Sequence, residues 1–307
     1  MKPLAAARRE VVAAMNLLPE VQTPLQQSRG LVLSRAVVAA HAVPPFANSG
    51  VDGFAVRSVD VAAAPVDLEV IGDLPAGIAP TAAVRAGTAI RIMTGAPMPD
   101  GADAVVMVED TVSAGDRVQV SRSARPGDHV RPAGGDFPAG TQVFDAGERL
   151  RAPHLGVLAS IGVARPAVRR RPTVAVFSTG DELRSADTSD LPPGAIRDSN
   201  RPLLVGLLEE FGAVVKDLGI IGDDAATLRS ALEQAAGVCD AIVTSGGVSM
   251  GEHDLVKRVL ADLGSVEFWQ VAMQPAKPFA FGRIRDTPLF GLPGNPVSAM
   301  VAFEQFV

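Results

Sequence analysis

The chain of 307 residues contains no tyrosine, one tryptophan and one cysteine, and these scarcities exclude several classes of protein. The single cysteine, Cys239, rules out an internal disulfide and a cysteine-rich metal site, so we expect it to pack as a small hydrophobic residue. The few aromatic residues provide no stacking platform for bases, and the net charge of −6 also argues against a nucleic-acid partner.

Long uncharged apolar runs are also missing, so the sequence predicts no membrane-spanning segment and no membrane partner. The first residues do not resemble a secretory signal, because Arg8, Arg9 and Glu10 interrupt the apolar positions. We therefore expect a cytoplasmic protein. Apolar residues make up 47% of the chain, and a chain of this length is expected to form two or three domains.

The first half of the sequence predicts two domains. Apolar spacing predicts amphipathic helices at about 4–18 and 28–40, and a further short helix at 155–161. Between them, short apolar runs alternate with Gly, Pro and Asp, which is typical of a β-rich module. We expect residues 1–44 and 139–170 to form a discontinuous, elongated helical or linker domain, and residues 45–138 to form the β-rich domain.

From residue 173 onward, predicted strands and helices alternate. Apolar strand candidates at 173–177, 214–221 and 241–243 are separated by segments with helical spacing. This rhythm predicts an α/β domain at 171–307 with a doubly wound, mostly parallel sheet, whose ligands bind at the carboxyl ends of the strands.

A glycine-rich loop at 244–251 is the clearest sign of a binding site in this domain. It follows a predicted buried strand and precedes a predicted helix, so its backbone N–H groups and the helix N-terminus favour an anion such as phosphate. Three other segments also follow predicted strands, namely 178–182, 222–224 and 291–298.

Acidic residues in these segments predict a cation beside the phosphate. Glu182, Asp254 and one of Asp223 and Asp224 are the candidate ligands, because carboxylates that converge on a phosphate site usually hold a hard cation such as Mg²⁺. Each acid alone could instead be a helix cap or a solvated turn residue, and the pair Asp223–Asp224 also begins a helix. Lys277, between two prolines, is suited to fixing an anion as a point charge.

Together these motifs resemble a known family. The segments STGDEL (178–183), TSGGVSMGEHD (244–254), KPFAFG (277–282) and GLPGNPVS (291–298) resemble the molybdopterin-binding domain. The segments PFANSGVDGFA (45–55), RIMTGAPMPDGAD (91–103) and RPAGGD (131–136) resemble the molybdopterin molybdenumtransferase signatures. The chain departs from the common pattern at Ala47, Phe54 and Gln274, and Gln274 replaces a lysine.

This resemblance implies an activity and a set of site residues. Such enzymes insert molybdenum from molybdate into adenylylated molybdopterin and release AMP in a Mg²⁺-dependent reaction. Asp52, Thr94, Glu182, Asp223 and Asp254 match positions with catalytic or metal-binding roles. The resemblance also implies that the phosphate end of the pterin lies on loops that contribute Ser178, Thr179, Gly180, Ser245, Gly246, Gly247, Ser249, Gly251, Lys277, Pro293, Gly294, Asn295, Pro296 and Ser298.

The resemblance also concerns assembly. Family members form homodimers with the active cleft between two subunits, so Asp52 is expected to serve the partner's site, and molybdopterin adenylyltransferase is a candidate partner. Members usually continue into a C-terminal β-barrel, whereas this sequence stops at Val307 in the last predicted helix, so we expect the barrel to be absent. Two alternatives stay open, a molybdopterin adenylyltransferase and a non-catalytic molybdopterin-binding or scaffold protein.

Overall fold

The computed structural model describes residues 1–222, 224–246 and 255–307, and within them the chain divides into two compact units. Residues 1–21 and 169–307 form one unit, here called the α/β unit, and residues 22–168 form the β-rich unit. The described helices are α1 (Leu4–Ala14), α2 (Ala152–Ser160), α3 (Asn200–Glu210), α4 (Ala225–Val238), α5 (Leu255–Leu263) and α6 (Pro296–Phe306). Within these ranges, no helix has the length and apolar character required to cross a membrane.

The described strands are mostly short in the first half of the chain and longer in the second. They are β1 (Glu20–Gln22), β2 (Val32–Leu33), β3 (Val37–Val38), β4 (Asn48–Ser49), β5 (Gly53–Val56), β6 (Val66–Leu74), β7 (Thr88–Ile92), β8 (Ala104–Met107), β9 (Thr111–Ala114), β10 (Arg117–Val120), β11 (Val130–Arg131), β12 (Gln142–Phe144), β13 (Ala167–Arg169), β14 (Thr173–Thr179), β15 (Leu183–Arg184), β16 (Ile196–Arg197), β17 (Val214–Ile221), β18 (Ala241–Ser245), β19 (Gly264–Gln270), β20 (Pro278–Ile284) and β21 (Thr287–Leu292).

The α/β unit contains the predicted mostly parallel sheet, in the order β17-β14-β18-β21-β20-β19. The first four strands are parallel, whereas β20 and β19 are antiparallel to their neighbours. Successive residues of β14 enter opposite cores. Val174 and Val176 pack with apolar residues of α1, α3 and α6, while Ala175 and Phe177 pack with those of α4 and α5. The sheet is therefore covered on both faces, as a doubly wound fold requires.

The β-rich unit is built on a six-stranded sheet in the order β8-β5-β7-β6-β10-β9. Strand β5 is buried along its whole length and pairs antiparallel with both β7 and β8. Gly53 lies opposite Ile92 in this register, so the start of β5 lies beside the end of β7. The sheet thus brings the chain before residue 53 close to the chain after residue 92.

The helix predicted at 28–40 is wrong, because this segment forms β2 and β3. Gly30 has a φ of 84°, a left-handed conformation that interrupts a helix, and Leu31 and Leu33 are buried with the half-buried Val32 between them. The units also group the chain differently from the predicted domains. Helix α1 packs within the α/β unit, whereas the sequence placed 1–44 with 139–170. The boundaries of the three domains stay a prediction.

Gly53 gives a direct test of the packing of the β-rich unit. A Cβ atom at this position would lie 2.0 Å from the backbone oxygen of Val106. The clash is with backbone, so it cannot be relieved by movement of a flexible side chain. We expect Gly53→Ala to lower the free energy of unfolding by about 3 kcal/mol or more. Gly72→Ala in β6 is the matched control, because its Cβ would meet nothing within 4 Å. Equal stability of the two variants in urea unfolding would contradict this packing.

Candidate active site

A cleft of about 100 Å³ lies at the carboxyl edge of the parallel strands in the α/β unit. Strand β14 ends at Ser178–Thr179, β18 ends at Ser245, and the loop after β21 follows directly from Leu292. Of the residues predicted for ligand or metal binding, the cleft brings together Ser178, Thr179, Glu182, Ser245, Gly246, Gly294 and Pro296. The cleft therefore lies where the topology of a parallel sheet predicts a ligand site.

The turn after β18 requires glycine at its first position. Gly246 has a φ of 90°, and a Cβ there would lie 2.7 Å from the backbone oxygen of Thr179. Its N–H donates to the carbonyl of Leu292 at 3.1 Å, which ties the turn to the end of β21. The predicted site residues Gly247, Ser249, Gly251 and Asp254 lie outside the described residues, and so does Asp223.

Glu182 lies at the cleft on the turn that follows β14. Its carboxylate oxygens lie 2.6 and 2.7 Å from the position that a Cβ atom of residue 180 would occupy, so Gly180 makes room for this carboxylate. Gly180 itself has a φ of 146°, which other residues rarely adopt. The glycine and the acid are thus one local arrangement, with an exposed carboxylate beside the strand ends.

The loop 291–298 begins helix α6. Asn295 is the N-cap, and its side-chain oxygen accepts from the N–H groups of Val297 at 3.1 Å and Ser298 at 3.3 Å. Pro296 occupies the first helical turn, where its missing N–H costs nothing. Pro293 is buried, and Gly294 is exposed. The loop therefore places a helix N-terminus, which favours anions, next to the cleft.

Lys277 is exposed and lies just before β20. Because Ala280 of β20 pairs with Gly291 of the antiparallel β21, the residues before β20 lie beside the end of β21. Lys277 is thus at the same edge of the sheet as the cleft, although it is not among the described residues that line it.

Asp198 and Asn200 also line the cleft, and neither was among the site residues predicted from the sequence. Asp198 is 4% exposed and accepts from the Ser178 hydroxyl at 3.0 Å, as well as from the Nε of Arg201 at 3.0 Å. The amide nitrogen of Asn200 donates to the Ser245 hydroxyl oxygen at 2.6 Å and to the Gly294 carbonyl at 2.7 Å. The burial of these two polar side chains indicates their role in the cleft, and the sequence does not reveal that burial.

Asp52 and Thr94 form a contact in the β-rich unit. One carboxylate oxygen of Asp52 accepts from the backbone N–H of Thr94 and from its hydroxyl, both at 2.7 Å. The pKa of Asp52 lies below its usual value, and the backbone hydrogen bond from Thr94 is the largest cause. The hydrogen bond from the Thr94 hydroxyl and the positive charge of Arg91 lower it further. The exposed carboxylate is therefore kept ionised and fixed in position.

The acid next to Asp223 has a structural role. Asp224 is the N-cap of α4, and its carboxylate accepts from the hydroxyl of Thr227 at 2.6 Å and from its N–H at 2.8 Å. These bonds, led by the one from the hydroxyl, lower the pKa of Asp224. In the ranges 1–222, 224–246 and 255–307, no three His, Cys, Asp or Glu side chains are grouped for metal binding.

These features define an α/β protein whose cleft at the strand ends is lined by hydroxyl groups and backbone turns suited to an anion, joined to a β-rich unit with an acid–hydroxyl pair. Two family profiles match the chain. The "MoeA N-terminal region (domain I and II)" matches residues 2–162, and the "Probable molybdopterin binding domain" matches residues 175–307.

Relatives and solved structures agree with these matches. Molybdopterin molybdenumtransferase 2 of Mycobacterium tuberculosis is 42% identical, over 100% of this chain and 78% of that protein. The molybdopterin molybdenumtransferase of a Nostoc species is 37% identical, over 99% and 73%. The crystal structure of a molybdopterin biosynthesis MoeA protein from Pyrococcus horikosii is 34% identical with a TM-score of 0.85, over 99% of this chain and 77% of that one. The chain belongs to the MoeA family of molybdopterin molybdenumtransferases, which confirms the predicted family and fold class.

Proposed function

We propose that this chain inserts molybdenum from molybdate into adenylylated molybdopterin, with release of AMP, in the biosynthesis of the molybdenum cofactor. The observation that carries the proposal is that both family profiles match in order along one chain, so that the β-rich unit accompanies the molybdopterin-binding domain. A molybdopterin adenylyltransferase, the alternative enzyme, needs only the later domain. The acid–hydroxyl pair in the β-rich unit also supports an enzyme rather than a scaffold.

The phosphate end of the substrate would occupy the cleft of the α/β unit. The Ser245 hydroxyl and the turn at Gly246 lie at the end of β18, and the N-terminus of α6 lies beside them, so both can stabilise negative charge. Gly247, Ser249, Gly251 and the other predicted loop residues keep their proposed binding roles. Asp52 would accept a proton or hold a cation, because its exposed carboxylate is ionised and is fixed in position by Thr94.

Mg²⁺ is the proposed metal, held by Glu182 with Asp223 and Asp254. The space that Gly180 leaves for the Glu182 carboxylate fits this assignment, since a hard cation prefers an exposed carboxylate oxygen. When bound, the ion would supply positive charge that neutralises phosphate and molybdate oxygens. The protein residues would hold these anions in one position and orientation.

Lys277 would attract molybdate as a positive charge at this edge. We expect Lys277→Gln to raise the KM for molybdate about tenfold with little change in kcat, because a lysine that binds the oxyanion equally in ground and transition state affects KM alone. The control is Lys216→Gln, which removes an exposed lysine from β17 in the same unit. An unchanged KM in Lys277→Gln would remove this residue from the molybdate site.

A homodimer with composite sites is proposed from the family. We expect co-expression of Asp52→Ala and Glu182→Gln chains to restore about a quarter of wild-type turnover, because half of the randomly mixed dimers would each hold one intact site. Each variant expressed alone should be nearly inactive. No recovery in mixed dimers isolated with two different tags would show that both residues serve the same subunit.

The proposed reaction is tested by supplying adenylylated molybdopterin, molybdate and Mg²⁺ to the 307-residue chain. AMP release that requires molybdate supports the transferase. Pyrophosphate release from ATP and molybdopterin would instead identify an adenylyltransferase, and tight pterin binding without either product would identify a binding or scaffold protein. We also propose a cytoplasmic location and association with a molybdopterin adenylyltransferase, which fractionation and co-purification would check.

A further inference from the structure

Asn200 connects two cleft loops that are distant in the sequence. It is the first residue of α3 and is 6% exposed, and its amide nitrogen donates to Ser245, 45 residues away, and to Gly294, 94 residues away. We propose that Asn200 is a positioning residue, which holds the Ser245 hydroxyl and the Gly294 loop in the arrangement that receives the phosphate group of the substrate. This inference rests on the proposed function of the cleft.

The two hydrogen bonds show that the amide nitrogen of Asn200 is the donor in both contacts. The Gly294 carbonyl can only accept, so the atom facing it is the amide nitrogen of Asn200 and not its oxygen. The same nitrogen donates to the Ser245 hydroxyl oxygen, which leaves the hydroxyl proton of Ser245 available to donate elsewhere. An anion in the cleft is the partner that this proton fits, and Ser245 is among the residues that line the cleft.

The side-chain oxygen of Asn200 also supports a functional role for this residue. Its side-chain oxygen is buried and has no hydrogen-bond partner within the described part of the chain. An unpaired buried acceptor weakens a fold, and an asparagine retained for stability alone is expected to have all its polar groups paired. Among the described residues, the donors of Asn200 are thus used on the end of β18 and the loop after β21, while its acceptor has no partner.

The neighbouring Asp198 extends the same arrangement to a third strand. It is buried and accepts from the hydroxyl of Ser178 at the end of β14. The segment at the start of α3 therefore contacts the ends of β14 and β18 and the loop after β21. One helix start thus contacts two strand ends and one loop that each contribute to the cleft, which is the arrangement that pre-organises a binding site.

Asn200→Ala tests the proposal through a split between KM and kcat. We expect the KM for adenylylated molybdopterin to rise about tenfold and kcat to change less than about twofold, since binding of the phosphate end is weakened throughout the reaction. Thr287→Val is the matched control. Thr287 is also 6% exposed and donates to the carbonyl of Ala236 at 2.9 Å, but it lies at the opposite end of β21. Equal KM values for wild type and Asn200→Ala, or an equal rise in Thr287→Val, would overturn the proposal.

The coupling to Ser245 is tested by a double-mutant cycle. If Asn200 acts partly through Ser245, the KM of the double variant with Ser245→Ala will rise by less than the product of the two single increases. Fully multiplicative increases would contradict the coupling. Asn200→Asp, which keeps the side-chain volume but has no proton to donate when ionised, should shift KM in the same direction. It replaces the alanine variant if that variant does not fold.

A measurement without substrate separates this inference from the proposed function. The N–H of Gly246 donates to Leu292 beside the Asn200 contacts, so we expect its hydrogen exchange to become at least about tenfold faster in ligand-free Asn200→Ala, but not in Thr287→Val. Unchanged exchange would overturn the positioning role. A wild-type chain without transferase activity would overturn the proposed function, and the exchange data would still decide whether Asn200 holds the loops.

Discussion

Asp52→Ala is expected to lower turnover about 100-fold or more while leaving the fold intact, a loss typical for an acid or base that acts in the reaction. The carboxylate is exposed, and its described hydrogen bonds come from Thr94 alone, so its removal takes no packing from the core of the β-rich unit. Turnover is measured as AMP release, and folding is checked by thermal unfolding. Asp116→Ala, in an exposed turn between β9 and β10, is the control.

The pH dependence of turnover tests the same contact. Thr94→Val removes the hydroxyl but keeps the backbone N–H, so the pKa of Asp52 should rise toward its ordinary value of 3.8. The acid limb of the pH–rate profile should then move to higher pH, whereas Thr94→Ser should leave it in place. Because the folded pKa is depressed, the contact stabilises the fold above pH 3.8, and this contribution is lost as the pH falls through the lowered value. Wild-type rates in Asp52→Ala would reject the assignment.

Glu182→Gln is expected to lower turnover about 100-fold at millimolar Mg²⁺ and to raise the Mg²⁺ concentration needed for half-maximal rate. The amide keeps the size of the side chain but loses the charge that the ion requires. Gly180→Ala should act in the same direction with a smaller effect, because its Cβ would occupy the space of the Glu182 carboxylate. Glu210→Gln, at the exposed end of α3, is the control.

The Mg²⁺ titration separates two roles of Glu182. If Glu182 holds the metal, saturating Mg²⁺ will recover part of the lost rate in the Gln and Gly180→Ala variants. A lower rate with an unchanged Mg²⁺ requirement would place Glu182 in substrate binding or proton transfer and remove it from the metal site.

The α/β sheet was predictable because its signals are local. The strand at 173–177 is a continuous apolar run, and the helices beside it show apolar spacing. Both kinds of element can therefore be predicted without knowledge of the rest of the chain. The segment 28–40 was wrongly predicted as a helix because its apolar residues fit a helical stripe. In the structure, Gly30 has a left-handed conformation, and the buried Leu31 and Leu33 alternate along an extended chain. Local spacing did not distinguish the two outcomes there.

The candidate site was predictable only in part. Glycine-rich turns after strands indicated Ser245 and Gly246, and the family resemblance indicated Asp52 and Thr94, which are 42 residues apart in the sequence and meet because β5 pairs with β7. The contacts of Asn200 link residues 45 and 94 positions away, and no local pattern encodes such distances. Only the fold shows the role of Asn200 between these two segments.

The proposed reaction couples release of AMP to insertion of molybdenum. The most direct measurement is a single-turnover reaction of the 307-residue chain with adenylylated molybdopterin and molybdate, in which AMP and pterin-bound molybdenum are quantified in the same quenched samples. We expect equal amounts of the two products, formed at the same rate, and neither product without molybdate. AMP release without bound molybdenum, or no AMP at all from a chain that binds the substrate, would contradict the proposed reaction.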